Sequence, residues 1–298
     1  MRAGAKNVVL SIEELLAKSL ADLRESFLER ERPVPEGFLE ALDHDSRNGA
    51  KQLALQIRKR RLKNRKEGQR LHSLLRFELE LWQQGIHLIA GVDEAGMAPL
   101  AGPVVAAAVI LPSNYKLRGL DDSKKILDEE RRAELAVQIK SDAVCWSVGR
   151  AEVEEIDTLN IYHAGLLAMQ RAVHGLVTRP EFILVDARTI PQCTCPQRGI
   201  IHGDALSASI AAASIIAKTT RDAVMLQIDR IYTEYGFASH KGYPTLEHLQ
   251  KLKALGPLPI HRRSFTPVRQ ALGLDPIQGE LFENQNSGVR SQEPEEMP

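Results

Sequence analysis

The chain has 298 residues, 43% of them hydrophobic, so it is long enough to bury one substantial core and still form extensions at its ends. Its 39 basic and 39 acidic residues give a formal net charge of zero, but the two signs are concentrated in different stretches. Three cysteines and no long apolar run exclude disulfide-rich and membrane-spanning proteins, which predicts a soluble, monomeric, cytoplasmic protein without membrane contacts.

The first 85 residues have the pattern of a helical extension. Apolar residues recur at spacings of three and four after Ser11, as in helices with one buried face. Proline and glycine within residues 33–37, and turn residues within 43–49, interrupt this pattern, so two or three helices are expected. Residues 58–66 include seven basic side chains and no acidic one. This stretch predicts either a helix that binds phosphates or a merely solvated helix face.

Residues 86–272 change to short apolar runs mixed with helical patterns, which is typical of an α/β fold with a mixed sheet flanked by helices. Strands are predicted at residues 86–92, 104–111, 146–148, 182–185 and 199–201. Helices are predicted at residues 129–140, 161–177, 207–232 and 245–255. The tail, residues 273–298, is polar and acidic and is predicted to be disordered.

Four carboxylates lie at the ends of predicted strands. Asp93 and Glu94 are adjacent where a buried strand enters a glycine-rich turn, Asp186 ends the run FILVDA, and Asp204 precedes a long helix. Each residue alone is explained equally well as an ordinary strand-end or helix-start acid. Converging at one point, however, the four would repel one another unless cations compensated them. Oxygen ligands suit Mg²⁺ or Mn²⁺, which would support phosphodiester hydrolysis.

A series of motifs in the same region resembles the ribonuclease HII family. In order, they are DEAGMAPLAGPVVAAAVIL, LDDSKK, LNIYHAGLLAMQRAV, ILVDA, GDALSASIAAASIIAKTTRD, YGFASHKGYPT and HRRSF. The resemblance covers residues 86 to about 272 and implies a ribonuclease H-like fold. It further implies a metal-dependent endonuclease that cuts the RNA strand of RNA/DNA hybrids and leaves 5′-phosphate and 3′-hydroxyl ends. It assigns metal binding and catalysis to Asp93, Glu94, Asp186 and Asp204.

The same resemblance suggests which residues contact the duplex. Basic side chains position a duplex by binding phosphates without reading its sequence. Tyr243 resembles the family tyrosine that packs on the sugar beside the ribonucleotide, whose 2′-hydroxyl distinguishes RNA from DNA. For the basic residues, a solvent-facing surface position is the alternative. The expected phosphate-binding residues are Lys124, Lys125, Lys218 and Arg221.

The chain departs from the family pattern at residues 96–98, which are Gly-Met-Ala where the family usually has Gly-Arg-Gly. That tripeptide helps the family to recognise the 2′-hydroxyl. Met97 cannot make the forked, charged contacts of an arginine, and Ala98 restricts the backbone, whereas Gly96 keeps its freedom. We therefore expect hydrolysis to be retained and recognition of single ribonucleotides embedded in DNA to be weak. The alternative is that a backbone contact provides most of the recognition.

The tail contains the peptide QGELF at residues 278–282, which is similar to the short peptides that bind bacterial sliding clamps. Gln278, Leu281 and Phe282 would supply the glutamine and the two apolar anchors for a hydrophobic groove. An alternative function is a catalytically weak adaptor that binds RNA/DNA duplexes or a clamp through the same fold. A nucleotide-binding enzyme is disfavoured, because the glycine-rich turn is not followed by Gly-Lys-Ser/Thr.

Overall fold

The computed structural model of the chain describes residues 11–274. The chain divides into two compact units, Met1–His72 and Ser73–Pro298. The extension predicted to end at residue 85 includes Leu81, which packs with the sheet of the second unit, and that boundary stays a prediction. None of the described helices is long and apolar enough to cross a membrane. The predicted clamp peptide lies outside the described residues.

The first unit is helical, with a core of leucine, isoleucine and phenylalanine side chains. Its helices are α1 (Ile12–Leu16), α2 (Leu20–Arg24), α3 (Phe38–Asp43) and α4 (Ala50–Leu74), with one π-helical turn at Glu25–Glu29. Together with α5 (Arg76–Gln83), five α-helices precede the first strand of the described chain, so the prediction of two or three was too low. The side chains of Ser11 and Ser19 each accept a hydrogen bond from a backbone amide and so begin separate short helices.

A mixed five-stranded sheet forms the centre of the second unit, as predicted. The strands are β1 (Ile89–Ala95), β2 (Val104–Ile110), β3 (Cys145–Ala151), β4 (Phe182–Asp186) and β5 (Gln197–Ile200). Their order is β3-β2-β1-β4-β5. Strand β2 pairs antiparallel with both β1 and β3, whereas β4 pairs parallel with both β1 and β5. Because β1 and β4 are parallel neighbours, their carboxyl ends lie at the same edge of the sheet.

Helices cover both faces of this sheet. After α5, the described helices are α6 (Glu129–Asp142), α7 (Val153–Leu159), α8 (Ile161–His174), α9 (Ala208–Ile231), α10 (Phe237–His240), α11 (Leu246–Leu255) and α12 (Thr266–Ala271). Side chains alternate along β1, so Ala90 and Val92 pack with α8, whereas Ile89 packs with α5 and α9. A Cβ at Gly91 would lie 2.0 Å from the carbonyl carbon of Ser209, so glycine allows α9 to lie directly on β1.

Candidate active site

Three of the four predicted acids converge at one edge of the sheet. Asp93 lies near the end of β1 and Asp186 is the last residue of the parallel strand β4. Asp204 lies in a 3₁₀ turn, Gly203–Ala205, between β5 and α9. One carboxylate oxygen from each of the three lies within 4.8 Å of the others. The residues therefore form a compact set of oxygen donors of the kind that binds divalent cations.

Glu94 lies to the side of this group. Strand β1 continues to Ala95, and adjacent residues of a strand point to opposite faces, so Glu94 is not one of the three converging acids. Glu94 Oε1 instead lies 3.3 Å from Arg188 Nη2. Its Oε2 is buried and accepts no hydrogen bond. One carboxylate oxygen of Glu94 is thus available for a ligand.

Burial and mutual repulsion disfavour the ionised form of these acids. Burial raises the pKa of Asp93 well above its usual range, and the charges of Glu94 and Asp186 raise it further. Burial likewise raises the pKa of Asp186, to which the charge of Asp204 adds. The pKa of Glu94 is raised by burial, an effect that Arg188 opposes. A bound cation would reverse these shifts, because it stabilises the carboxylates.

The loop after β2 brings a lysine to the acids. Lys124 Nζ donates a hydrogen bond to Asp204 Oδ2 at 2.8 Å, although 73% of the Lys124 side chain is exposed. Lys125 instead pairs with Asp121 at 3.2 Å, away from the acids. The sequence analysis missed Asp122, whose pKa is raised by burial and by the neighbouring Asp204 charge. Its position in the motif LDDSKK was the available signal.

Two arginines fix the loop that joins β1 to β2. Arg262 is fully buried and donates hydrogen bonds to the carbonyl oxygens of Gly96 at 2.6 Å, Gly102 at 3.0 Å and Met97 at 3.1 Å. Gly96 has a φ of +97°, and a Cβ there would lie 2.2 Å from Arg221 Nε. Only glycine fits this position without displacing the buried Arg221. Sequence reasoning did not identify Arg262, although it belongs to the motif HRRSF.

Comparisons with known proteins match both the helical extension and the region that carries the acids. A family model described as ribonuclease HII matches residues 90–268, and one described as the ribonuclease HII N-terminal domain matches residues 19–82. The chain belongs to the ribonuclease HII family. As a member of this family, the chain is a ribonuclease H, that is, an endonuclease that hydrolyses the RNA strand of RNA/DNA hybrids. The resemblance of its motifs implied the same activity.

Two relatives named ribonuclease HII cover most of the chain. The protein from Myxococcus xanthus (strain DK1622) is 63% identical over 289 residues, which are 94% of this chain and 99% of the relative. The protein from Anaeromyxobacter sp. (strain Fw109-5) is 61% identical over 270 residues, 91% of this chain and 85% of the relative. The crystal structure of the ribonuclease H2 from Pyrococcus horikoshii OT3 matches 61% of this chain and 96% of its own, at a TM-score of 0.53 and 27% identity. The predicted ribonuclease H-like fold is thereby confirmed.

The side chain of Tyr243 is partly exposed, at 36%. Tyr243 follows Lys241 and Gly242, both with positive φ, and its ring lies 5.7 Å from the guanidinium carbon of Arg221 and 5.5 Å from Lys218 Nζ. Lys218 also pairs with an acidic neighbour on α9, Asp222, at 2.7 Å. One buried and one acid-paired cation therefore lie close to the ring.

Arg221 differs from the sequence expectation of a phosphate contact. Its side chain is fully buried and donates hydrogen bonds to the carbonyl oxygens of Ala101, Pro103 and Lys241, at 3.1, 3.2 and 3.1 Å. A guanidinium so enclosed does not face solvent. In this member of the ribonuclease HII family, the hydrogen bonds of Arg221 connect the loop between β1 and β2 with the turn before Tyr243.

Met97 and Ala98, which replace Arg and Gly of the usual ribonuclease HII tripeptide, face in different directions. Met97 is half-buried and packs against the core formed by α8 and the sheet, whereas Ala98 is exposed. A Cβ added at Gly165 would lie 3.0 Å from Met97 Sδ and 2.8 Å from Arg188 Nη1. The guanidinium of Arg188 therefore lies beside the side chain of residue 97.

Proposed function

We propose that Asp93, Asp186 and Asp204 bind the divalent cations that this ribonuclease HII requires, and that Glu94 completes the ligand set. The convergence of three buried carboxylate oxygens within 4.8 Å is the observation that carries this proposal. The buried, unpartnered Oε2 of Glu94 supports its inclusion. Donors that are all carboxylate oxygens fit Mg²⁺ or Mn²⁺ and do not favour zinc. Bound there, such ions supply an activated water and stabilise the leaving oxygen of a phosphodiester.

The lysines beside the acids are proposed to bind the phosphate backbone. Lys124 is exposed along most of its length, so it can leave Asp204 and turn to a phosphate when cations occupy the carboxylates. Lys125 and Lys218, which pair with Asp121 and Asp222, are proposed as further phosphate contacts. Tyr243 offers its half-exposed ring to the sugar beside the cleaved bond.

We further propose that the enzyme prefers RNA/DNA hybrids to single ribonucleotides embedded in DNA. The side chain of Met97 packs against the core and carries no hydrogen-bond donor, so it makes no charged contact to a 2′-hydroxyl. The carbonyl oxygens of Gly96 and Met97 are held by Arg262, so the backbone of this loop is preformed. Any recognition that residues 96–98 provide would then come from this backbone.

Nuclease assays with Asn variants test the proposed acids. Asp186→Asn and Asp204→Asn are expected to abolish hydrolysis of a hybrid duplex in Mg²⁺ or Mn²⁺, because each removes a charged ligand. Asp229→Asn is the matched control, since Asp229 lies near the opposite end of α9 and accepts a hydrogen bond from the amide of Ala238. Retained hydrolysis in the first two variants would overturn the proposal. Duplex binding without hydrolysis by the wild-type protein would instead favour the catalytically weak adaptor.

Substrate preference requires a design that accounts for Arg188. An arginine at position 97 would place two guanidinium groups side by side, so Met97→Arg alone introduces repulsion. The double variant Met97→Arg/Arg188→Met removes it. Cleavage positions are mapped on a full hybrid and on a DNA duplex with one ribonucleotide. We expect the double variant to cut the embedded ribonucleotide relatively faster than wild type, and an unchanged ratio would contradict the role given to Met97.

The ends of the chain have proposed roles in binding. Lys59, Arg61, Lys63 and Lys66 on α4 are exposed and suited to a phosphate backbone. The clamp peptide at residues 278–282 stays a prediction, as does the cytoplasmic location. Binding of the chain to a bacterial sliding clamp, compared with a variant in which Leu281 and Phe282 are alanine, tests the peptide. Equal binding by the two proteins would exclude it.

A further inference from the structure

A buried carboxylate on α5 lies at the start of α9. Glu78 is only 3% exposed. Its Oε1 accepts hydrogen bonds from Ser207 Oγ at 2.6 Å, from Ser209 Oγ at 2.6 Å and from the Ser209 amide at 3.0 Å. Ser207 caps α9, and its Oγ accepts the amide of Ile210. A single oxygen of Glu78 therefore holds the first turn of this helix, where a negative charge is favoured.

The first turn of α9 is joined to the acids by hydrogen bonds. The amides of Leu206 and Ser207 donate to the carbonyl oxygen of Gly203 at 3.0 and 2.8 Å. The amide of Gly203 donates in turn to Asp186 Oδ1 at 2.7 Å. These bonds enclose the turn Gly203–Ala205, which carries Asp204. A displacement at Ser207 is therefore transmitted to both Asp204 and Asp186.

The opposite side of the same helical turn is pressed against β1. The backbone of Ser209 lies where a Cβ of Gly91 would be, two residues before Asp93. The start of α9 is thus fixed between Gly91 on one side and Glu78 on the other. If Glu78 were lost, the amide and the Oγ of Ser209 would lose the acceptor that they share, while the contact of Ser209 with β1 remained. The helix would then be free to shift Asp204 relative to Asp93.

Stability alone does not explain a carboxylate at position 78. Burying a charged group costs free energy, and the Oε2 of Glu78 is buried without a hydrogen-bond partner. The neighbouring residues of α5 are apolar and pack against the sheet, as Leu81 does. An apolar side chain would fill the same space, but only an acceptor at this position can hold the three donors of Ser207 and Ser209.

We propose that Glu78 is a positioning residue that fixes the start of α9 and thereby places Asp204 within the set of metal-binding acids. This inference rests on the proposed metal site. Glu78 itself does not contact the cations or the substrate. It acts through Ser207, Ser209 and the turn Gly203–Ala205.

Three variants of the full chain test this role. Glu78→Ala removes the acceptor, and Glu78→Gln keeps one acceptor oxygen. Leu81→Ala removes a buried apolar side chain of the same helix, which accepts no hydrogen bond from the serines. Calorimetric titration with MnCl₂ is expected to show a Kd about 10- to 100-fold higher for Glu78→Ala, as for other residues that orient metal ligands. Glu78→Gln should recover most of this loss. Leu81→Ala should lower the Tm and leave the Kd for Mn²⁺ unchanged.

A second measurement does not depend on metal binding. Hydrogen exchange of the amides of Gly203, Leu206 and Ser207 is measured in EDTA for the same proteins. Faster exchange in Glu78→Ala than in Leu81→Ala supports the positioning role, and equal exchange overturns it. If wild type does not bind Mn²⁺, the proposed metal site is wrong, whereas the exchange rates still decide whether Glu78 holds the turn. An equal Kd in Glu78→Ala and wild type would also overturn the inference.

Discussion

Replacing Asp93 with asparagine is expected to stabilise the metal-free protein while it abolishes hydrolysis. Asparagine has nearly the shape of aspartate, and its side-chain oxygen can still accept the Glu94 amide that Asp93 Oδ1 accepts at 2.7 Å. The substitution therefore removes a buried negative charge with little change in packing. In the absence of cations, that charge is opposed by Asp186 and Asp204, whose oxygens lie within 4.8 Å of it.

The magnitude follows from these distances. Two unit charges 4.8 Å apart repel by about 3.5 kcal/mol at an effective dielectric constant of about 20. At separations of no more than 4.8 Å, the two neighbours together contribute at least about 7 kcal/mol of repulsion before two effects reduce it. Lys124 lies 2.8 Å from Asp204 and neutralises part of its charge, and Asp93 can relieve the repulsion by binding a proton. We expect Asp93→Asn to raise the free energy of unfolding by about 1–3 kcal/mol in EDTA at pH 7.

Thermal unfolding in EDTA and in excess MnCl₂ measures this effect. Cations stabilise only the protein that binds them, by about 2.7 kcal/mol at 100 times the Kd, so wild type should overtake Asp93→Asn when Mn²⁺ is added. Because folding raises the pKa of Asp93, the protonated side chain stabilises the folded wild-type protein. This stabilisation is present below about pH 3.8, the ordinary pKa of an aspartate, and is lost as the pH rises above it. The advantage of Asp93→Asn should therefore shrink on acidification. A lower Tm for Asp93→Asn than for wild type in EDTA at pH 7 would refute the reasoning.

Three other predictions follow from the described contacts. Arg262→Met leaves three loop carbonyl oxygens without their donor, so it is expected to lower the free energy of unfolding by about 2–4 kcal/mol and to raise KM. The same substitution at the exposed neighbour Arg263 should change neither quantity. Burial lowers the pKa of His261 to about 4, so its contribution to stability is lost as the pH falls from about 6.5 towards 4, and the Tm difference between wild type and His261→Gln should shrink over that range. Changing Lys59, Lys63 and Lys66 to glutamine should reduce the slope of log Kd against log salt concentration for a hybrid duplex by about 2.7, because each phosphate contact contributes about 0.9. An unchanged slope would exclude phosphate contacts by these lysines of α4.

The convergence of the acids was predictable because it follows from the sheet. Buried strands appear in the sequence as apolar runs, and the carboxyl ends of parallel neighbours meet at one edge. Asp93 and Asp186 each end such a run, so their positions required no knowledge of side-chain contacts. Strand β3 was predicted too short, at residues 146–148, because the exposed Arg150 interrupts its apolar pattern.

Local patterns were not sufficient where a residue depends on distant partners. A charged residue within a helix is normally expected at the surface, yet Arg221 is buried because carbonyl oxygens 20 to 120 positions away in the chain accept its hydrogen bonds. Glu78 is a similar case, because its serine partners lie 129 and 131 positions later. The helix α7 was missed because it is short and ends at Asn160, which has a positive φ and also begins α8.

The buried arginines explain how the loop between β1 and β2 tolerates an unusual residue at position 97. Arg221 and Arg262 bind the loop through backbone carbonyl oxygens, which every amino acid provides. The path of the loop therefore depends on Gly96 and on the two arginines, and not on the side chain of Met97. Substitution at position 97 can alter contacts with the substrate while the backbone beside the acids keeps its shape. Because loop shape and side-chain recognition are separate, we expect cleavage to persist while substrate preference changes.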